Sequence, residues 1–168
     1  MEAKAKLFGH PIHQMLIVFP LGLLSTAAIF DVIHLITHGS GWAIASYYLI
    51  GAGVIGGLVA AVFGLIDYLA IPKGTRARRI GAIHGVGNVF VVGLFWMSFF
   101  LRIGTSAYPP KFAIGFSLFA TVLAIVTGWL GGELVARLAV GVDDGANLNA
   151  PSSLKGPVRS DDRRMAAD

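Results

Sequence analysis

The chain of 168 residues contains no cysteine. Disulfides, zinc ribbons, iron–sulfur ligation and c-type haem attachment by this chain are therefore excluded. Charge is also scarce: Asp, Glu, Lys and Arg make up 13% of the residues, against roughly 25% in a soluble domain. With 55% apolar residues and a mean hydropathy of +0.74, the chain cannot cover itself with polar surface in water. The formal net charge of +4 sits in a few basic clusters, and no basic folded face that would bind nucleic acid is visible. The Gly-rich segments follow no strand and match no phosphate-binding loop. Ser25, Ser46, Ser98 and Ser117 lie in apolar stretches with no base at helical spacing, so nucleophilic catalysis finds little support.

What is present is four long apolar stretches. A membrane-spanning helix needs about 20 mostly apolar residues, and candidates run over Met15–Ile36, Trp42–Ile71, Ile80–Leu101 and Phe112–Val135. With their polar ends the helices cover about 10–36, 42–71, 80–102 and 112–137. The breaks are turn chemistry: Thr37-His38-Gly39-Ser40-Gly41, then Pro72-Lys73-Gly74-Thr75-Arg76, then Tyr108-Pro109-Pro110. The expectation is an all-α, integral membrane four-helix bundle with up-and-down topology over residues 1–142. After Gly141 the composition turns to Asp, Asn, Pro, Ser and Arg, so residues 143–168 are expected to be a disordered cytoplasmic tail. Within it, Arg163 and Arg164 could touch anionic lipid, but a solubilising tail is the preferred expectation.

Orientation follows from the loops. Lys73, Arg76, Arg78 and Arg79 crowd the second loop, Lys4 and Lys6 precede the first span, and Arg137 follows the last. The first loop has no Lys or Arg. The positive-inside rule puts both termini in the cytoplasm. Lys4 and Lys6 before an apolar run also resemble a signal peptide, with Ser25-Thr26-Ala27 as a cleavage-site mimic, but the apolar run continues past that point. Small residues recur four apart as Gly53/Gly57/Ala61, Gly56/Ala60/Gly64, Gly81/Gly85 and Gly128/Gly132. This spacing lets helices approach closely in lipid, and packing within one bundle is expected ahead of dimerisation.

Ionisable residues at membrane depth are costly and mark function by default. Here they gather at span ends that share one side of the membrane: His13 opens the first stretch, Asp67 closes the second, His84 opens the third and Glu133 closes the fourth. Pro11 suits a first helical turn, which starts the first helix near Gly9 or His10 and puts His10 and His13 on one face. His84 and Asn88, four apart, share a face of the third helix. Three readings stay open. His13 (or His10) with His84 could ligate haem b iron axially, with Asp67, Asn88 and Glu133 as a supporting shell. Equally, His13, His84 and Asp67 could hold a divalent metal. A second reading is a proton or ion relay through His84 and Asp67. The third is structural, with Asp67 and Glu133 paired to Arg76–Arg79 or Arg137 and the histidines hydrogen-bonded to backbone and water.

At the opposite end, Asp31, His34 and His38 share one helix face, a spacing that could bind metal. The other spans offer no further His, Asp or Glu there, and an Asp31–Arg102 ion pair is the preferred expectation. Histidines on separate helices occur only at the His13 end, so a monomer holds one haem at most and does not conduct electrons across the bilayer unaided.

The segments Gly9-His10-Pro11-Ile12-His13-Gln14-Met15-Leu16, Phe19-Pro20-Leu21-Gly22-Leu23 and Phe30-Asp31 resemble the opening of the bacterial membrane family called domain of unknown function 2231. Gly64-Leu65-Ile66-Asp67-Tyr68, His84 with Asn88, Gly128-Trp129-Leu130-Gly131-Gly132-Glu133-Leu134-Val135 and Val140-Gly141-Val142 extend the likeness over about residues 9 to 142. The resemblance implies four spans in a bacterial inner (cytoplasmic) membrane. It singles out His10, His13, Asp31, Asp67, His84, Asn88 and Glu133. Relatives fused to Rieske-type or cytochrome domains imply redox chemistry, a redox protein partner, and an electron-transfer or non-catalytic subunit rather than an enzyme. Two positions depart from the family pattern: Gln14 replaces a second proline, and Leu138 stands where many relatives have histidine.

Overall fold

The computed structural model describes residues 1–156. The part of the expected tail from residue 157 onward, including Arg163 and Arg164, lies outside the described residues. A two-stranded antiparallel hairpin, β1 (Lys6–Leu7) and β2 (His10–Pro11), leads into α1 (Ile12–Leu16) and α2 (Val18–Thr37). Three long helices follow: α3 (Ser40–Ala70), α4 (Arg76–Leu101) and α5 (Lys111–Ala136). A short 3₁₀ turn spans Ser153–Lys155. Among the described residues, four helical segments are long and apolar enough to cross a membrane: Ile12–Thr37, Ser40–Ala70, Arg76–Leu101 and Lys111–Ala136. The chain is thus a membrane protein built as an all-α helical bundle.

Local chemistry sets the ends. Pro20 has no N–H to give to the Leu16 carbonyl and its ring crowds that turn, so the first span breaks between α1 and α2 at Ile17. Pro11 is the N-cap of α1 rather than its first helical residue, with ψ 119°. His10 therefore lies on a strand, and the expected helical pairing of His10 with His13 is not formed. Residue 38 closes α2 in the left-handed region (φ 56°) and returns its N–H to the His34 carbonyl at 2.8 Å, one of the αL closures that end many helices. Thr75 Oγ1 accepts from Arg78 N at 3.1 Å, a side-chain cap that starts α4 at Arg76, four residues before the apolar run.

Arginines in a first turn oppose the helix dipole, and each of two finds compensation. Arg76 Nη2 donates to Glu133 Oε1 at 2.6 Å. Arg78 Nη1 donates to the Tyr68 and Ile71 carbonyls at the C-terminal end of α3, at 2.5 and 3.1 Å, and its guanidinium lies over the Tyr68 ring.

The helices form an antiparallel ring in which α2 packs along α3 and α4 along α5, closed by α3 against α4 and α2 against α5. The core is small: Leu24, Ala27, Ile50, Val54, Val91, Phe95 and Ala120. Large apolar side chains such as Tyr48, Ile55, Val89, Phe119, Ile125 and Trp129 face outward instead. That is the pattern expected where lipid is the solvent, because packing rather than apolar burial then drives helix association. The glycines of α3 create the approach: a Cβ at Gly53 would lie 2.6 Å from Leu24, and one at Gly51 2.8 Å from Phe99. Gly85, Gly128 and Gly132 face open space and take no part in packing within the bundle.

The termini of the bundle are tied together at the His13 end. Met1 donates its amino group to the Ala139 carbonyl at 2.9 Å and accepts from Gly141 N at 2.9 Å. Lys6 Nζ contacts Asp143 at 2.5 Å and Glu2 at 2.8 Å. The Asp143 hydrogen bond first, then that from Glu2, raise the Lys6 pKa above its ordinary 10.5. The contribution of this contact is therefore complete below that value and is lost as pH rises through the higher folded pKa.

Gly53→Ala should lower the thermal unfolding midpoint in detergent, corresponding to about 1–3 kcal/mol of overpacking. Gly22→Ala, where a Cβ meets nothing within 4 Å, should leave it unchanged or slightly raised.

Candidate functional site

Two polar layers cross the bundle. At the end away from His13, all four long helices meet at one ion pair. Arg102 and Asp31 both have 0% exposure. Arg102 Nη1 and Nη2 each lie 2.7 Å from one Asp31 oxygen, a bidentate pair. Nη1 also donates to Ser46 Oγ at 3.1 Å, Nη2 to Ser117 Oγ at 3.2 Å, and Nε to Ser98 Oγ at 3.2 Å. A guanidinium has five N–H donors, and each has an acceptor here. Ser46 Oγ donates to Asp31 Oδ1 at 2.6 Å, and Ser117 Oγ approaches Asp31 Oδ2. The serines supply no nucleophile; they satisfy the remaining valences of a buried charge pair.

His34 is buried beside this layer with Nδ1 3.0 Å from the Gly39 carbonyl. His38 is exposed and held in the left-handed turn. Asp31 is thus engaged by Arg102 rather than shared with these imidazoles.

The other layer holds His13 and His84. His13 Nδ1 lies 2.9 Å from the Ala60 carbonyl on α3, and its ring rests on Gly64, where a Cβ would come within 2.9 Å. His84 Nδ1 lies 2.8 Å from the Thr127 carbonyl on α5, and its ring rests on Gly131, where a Cβ would come within 3.0 Å. Each imidazole therefore reaches a carbonyl on the next helix and packs on a glycine four residues further along. A carbonyl can only accept, so Nδ1 carries the proton and Nε2 of the neutral ring is left with its lone pair. His13 Nε2 makes no hydrogen bond among the described residues. The amide of Asn88 lies 3.3 Å from His84 Nε2 and is itself fixed by donating to the His84 carbonyl at 2.8 Å and accepting from Thr127 Oγ1 at 3.1 Å.

The remaining residues of the expected cluster are committed elsewhere. Asp67 Oδ1 accepts from Lys4 N and Ala5 N at 2.7 and 3.1 Å. Glu133 pairs with Arg76. His10 Nε2 lies 3.3 Å from Ser153 Oγ, on the exposed face. Neither carboxylate hydrogen-bonds an imidazole. Among the described residues no three His, Asp or Glu side chains gather as a metal site.

Comparing the two layers exposes a relation the residue-by-residue reading missed. His13 and His84, Asp31 and Arg102, and Ser46 and Ser117 are all separated by the same 71 positions. Ile12-His13, Val18-Phe19 and Gly22-Leu23 recur at that spacing as Ile83-His84, Val89-Phe90 and Gly93-Leu94. The helix hairpin α1–α3 and the hairpin α4–α5 are thus two copies of one pattern in the same orientation. This is the parallel-repeat arrangement found in some membrane folds. A self-comparison of the sequence at fixed offset carries that signal.

The sequence profile of a family described as a predicted membrane protein, domain of unknown function 2231, matches residues 9–144. No curated protein and no solved structure gives a significant match.

Arg102→Ala strands a buried carboxylate and should cost about 3–5 kcal/mol, whereas replacing both partners by apolar residues (Asp31→Leu with Arg102→Met) should cost far less. Unfolding midpoints of the single and double variants in detergent check this.

Proposed function

We propose that this protein, which belongs to the domain of unknown function 2231 family of membrane proteins, is a small redox-associated subunit holding one haem b iron, or a single divalent metal ion, between His13 and His84. The observation that carries this reading is the shared state of the two rings. Both direct Nδ1 at a main-chain carbonyl and so present Nε2 in the form that binds metal. His13 and His84, at repeat-related positions, would be the two side chains that hold the iron or metal ion. A bound haem would supply one-electron chemistry at its iron.

The chain's own part is positional. The Ala60 and Thr127 carbonyls fix the ring tautomers, Gly64 and Gly131 let the rings sit close to the neighbouring helices, and Asn88 braces His84. Asp67 and Glu133 act at one remove, the first by holding the N-terminal arm and the second by holding Arg76. His10, at the rim, contributes to access rather than ligation.

We place the protein in the bacterial inner membrane with both termini and the His13 end in the cytoplasm, since the basic residues cluster at that end. With one site per chain, electrons would pass to a redox protein partner or to a second copy. A second reading is a cofactor-free scaffold, which draws support from the absence of any buried side-chain polar atom without a hydrogen-bond partner among the described residues. An ion relay is the weaker form of that alternative, because Asp31 is neutralised by Arg102 and Asp67 is taken up by backbone N–H groups.

The test is an oxidised-minus-reduced visible spectrum with metal analysis on protein purified from haem- and metal-replete cells. A Soret band lost in both His13→Ala and His84→Ala is the expected result. Stoichiometric iron, manganese or zinc without colour assigns the metal version, and a colourless, metal-free sample assigns the scaffold.

A further inference from the structure

We propose that the tip of the β1–β2 hairpin is a lipid anchor, with Leu7 and Phe8 inserted at the headgroup–acyl boundary of the leaflet on the His13 side. The hairpin turns through Phe8 (φ 50°) and Gly9 (φ 85°). Two consecutive positive φ values define the tight hairpin turn for which Asn-Gly is the favoured pair. A bulky residue at positive φ is a genuine outlier, so Phe8 occupies a position that its backbone disfavours. Its side chain gains no internal packing in exchange: Phe8 is 74% exposed and Leu7 47%.

The hairpin base prevents the tip from tucking inward. Lys4 N and Ala5 N are held by Asp67, Ile12 N donates to the Ala5 carbonyl at 2.9 Å, and Lys6 is held by Glu2 and Asp143. An aromatic ring on a strained turn, fixed pointing outward, has a physical purpose if its surroundings are not water. The first candidate membrane span begins at Ile12, four residues after Phe8, which keeps the tip close in the chain to the end of that span. Apolar side chains beside lysines are a composition that seats in the headgroup–acyl layer, and Lys4 and Lys6 precede this tip, Lys6 being paired to Glu2 and Asp143. The occupant is therefore the protein's own bilayer, and the proposal does not depend on any cofactor at the histidines.

The absence of cysteine allows a direct measurement. Phe8→Cys and Leu7→Cys, each carrying one nitroxide, are placed in nanodiscs of mixed zwitterionic and anionic phospholipid. Collision rates with oxygen and with a water-soluble nickel chelate are then compared. Ile125→Cys on the outward face of α5 and Asn149→Cys outside the spans serve as the lipid and water references. The expected result at both positions 7 and 8 is oxygen access exceeding nickel access, between the two references and on the lipid side. Nickel access equal to that of Asn149→Cys would overturn the proposal. Low access to both reagents, the mark of burial against protein, would overturn it equally.

Discussion

The Asp31–Arg102 pair is the interaction on which the bundle depends. Lipid gives apolar side chains no reason to prefer each other over acyl chains, so helices in a membrane are ordered by packing and by polar contacts that have no solvent alternative. Here the polar contact is a full charge pair, and breaking it leaves an ion in a low dielectric. Asp31 comes from α2 and Arg102 from α4, while Ser46 and Ser117 come from α3 and α5. One cluster thus fixes the rotation of every long helix. The carboxylate and guanidinium have their hydrogen-bonding capacity filled by one another and by three hydroxyls. Such a closed arrangement suits a fixed structural centre.

The histidine layer has the opposite character. There the bonding is incomplete at one ring: Nδ1 of each imidazole is anchored, the Asn88 amide lies 3.3 Å from His84 Nε2, and His13 Nε2 has no partner among the described residues. The duplicated pattern makes the contrast informative. The two halves have kept the same residue at the histidine position and taken opposite charges at the position 18 residues further along each first helix, Asp31 in one and Arg102 in the other. Opposite charges at equivalent positions make each hairpin complementary to the other half rather than to itself. Identical imidazoles at equivalent positions make a pair of like donors. Complementarity builds a lock, and likeness builds none.

Around these layers the glycines of α3 set the distances. Gly53 admits Leu24 and Gly64 admits the His13 ring, so the same lack of side chain serves packing at mid-span and ring placement at the end. The N-terminal arm, the Asp67 carboxylate and the segment after α5 close the His13 end with backbone and ionic contacts. The carboxylate at position 67 therefore organises the chain around the histidines without touching them.

The spans, their number and the basic character of one side were legible in the sequence because each depends on local composition: about 20 apolar residues suffice to cross a bilayer, whatever their neighbours. Asp31 and Arg102 were legible as a pair for a related reason, since Asp31 is the one carboxylate at that end and Arg102, with Lys111, one of two basic residues there. His13, His84 and Asn88 were legible as polar residues at one level. The partner of each was not: carbonyls of Ala60 and Thr127 carry no sequence signature, and main-chain acceptors are chosen only when helices are set side by side. Asp67 is a similar case, because its Oδ1 accepts from backbone N–H groups of Lys4 and Ala5, which every residue but proline possesses. His10 was read as helical because Pro11 can open a helix; a hairpin formed instead, using contacts to Asp67 from 62 and 63 residues away. Composition and spacing by themselves determined that this chain is a four-span membrane bundle with histidines at one end and an ion pair near the other. Tertiary structure alone decided which faces meet, because side-chain pairing between helices depends on their order and rotation, and these are set by contacts far apart in the chain.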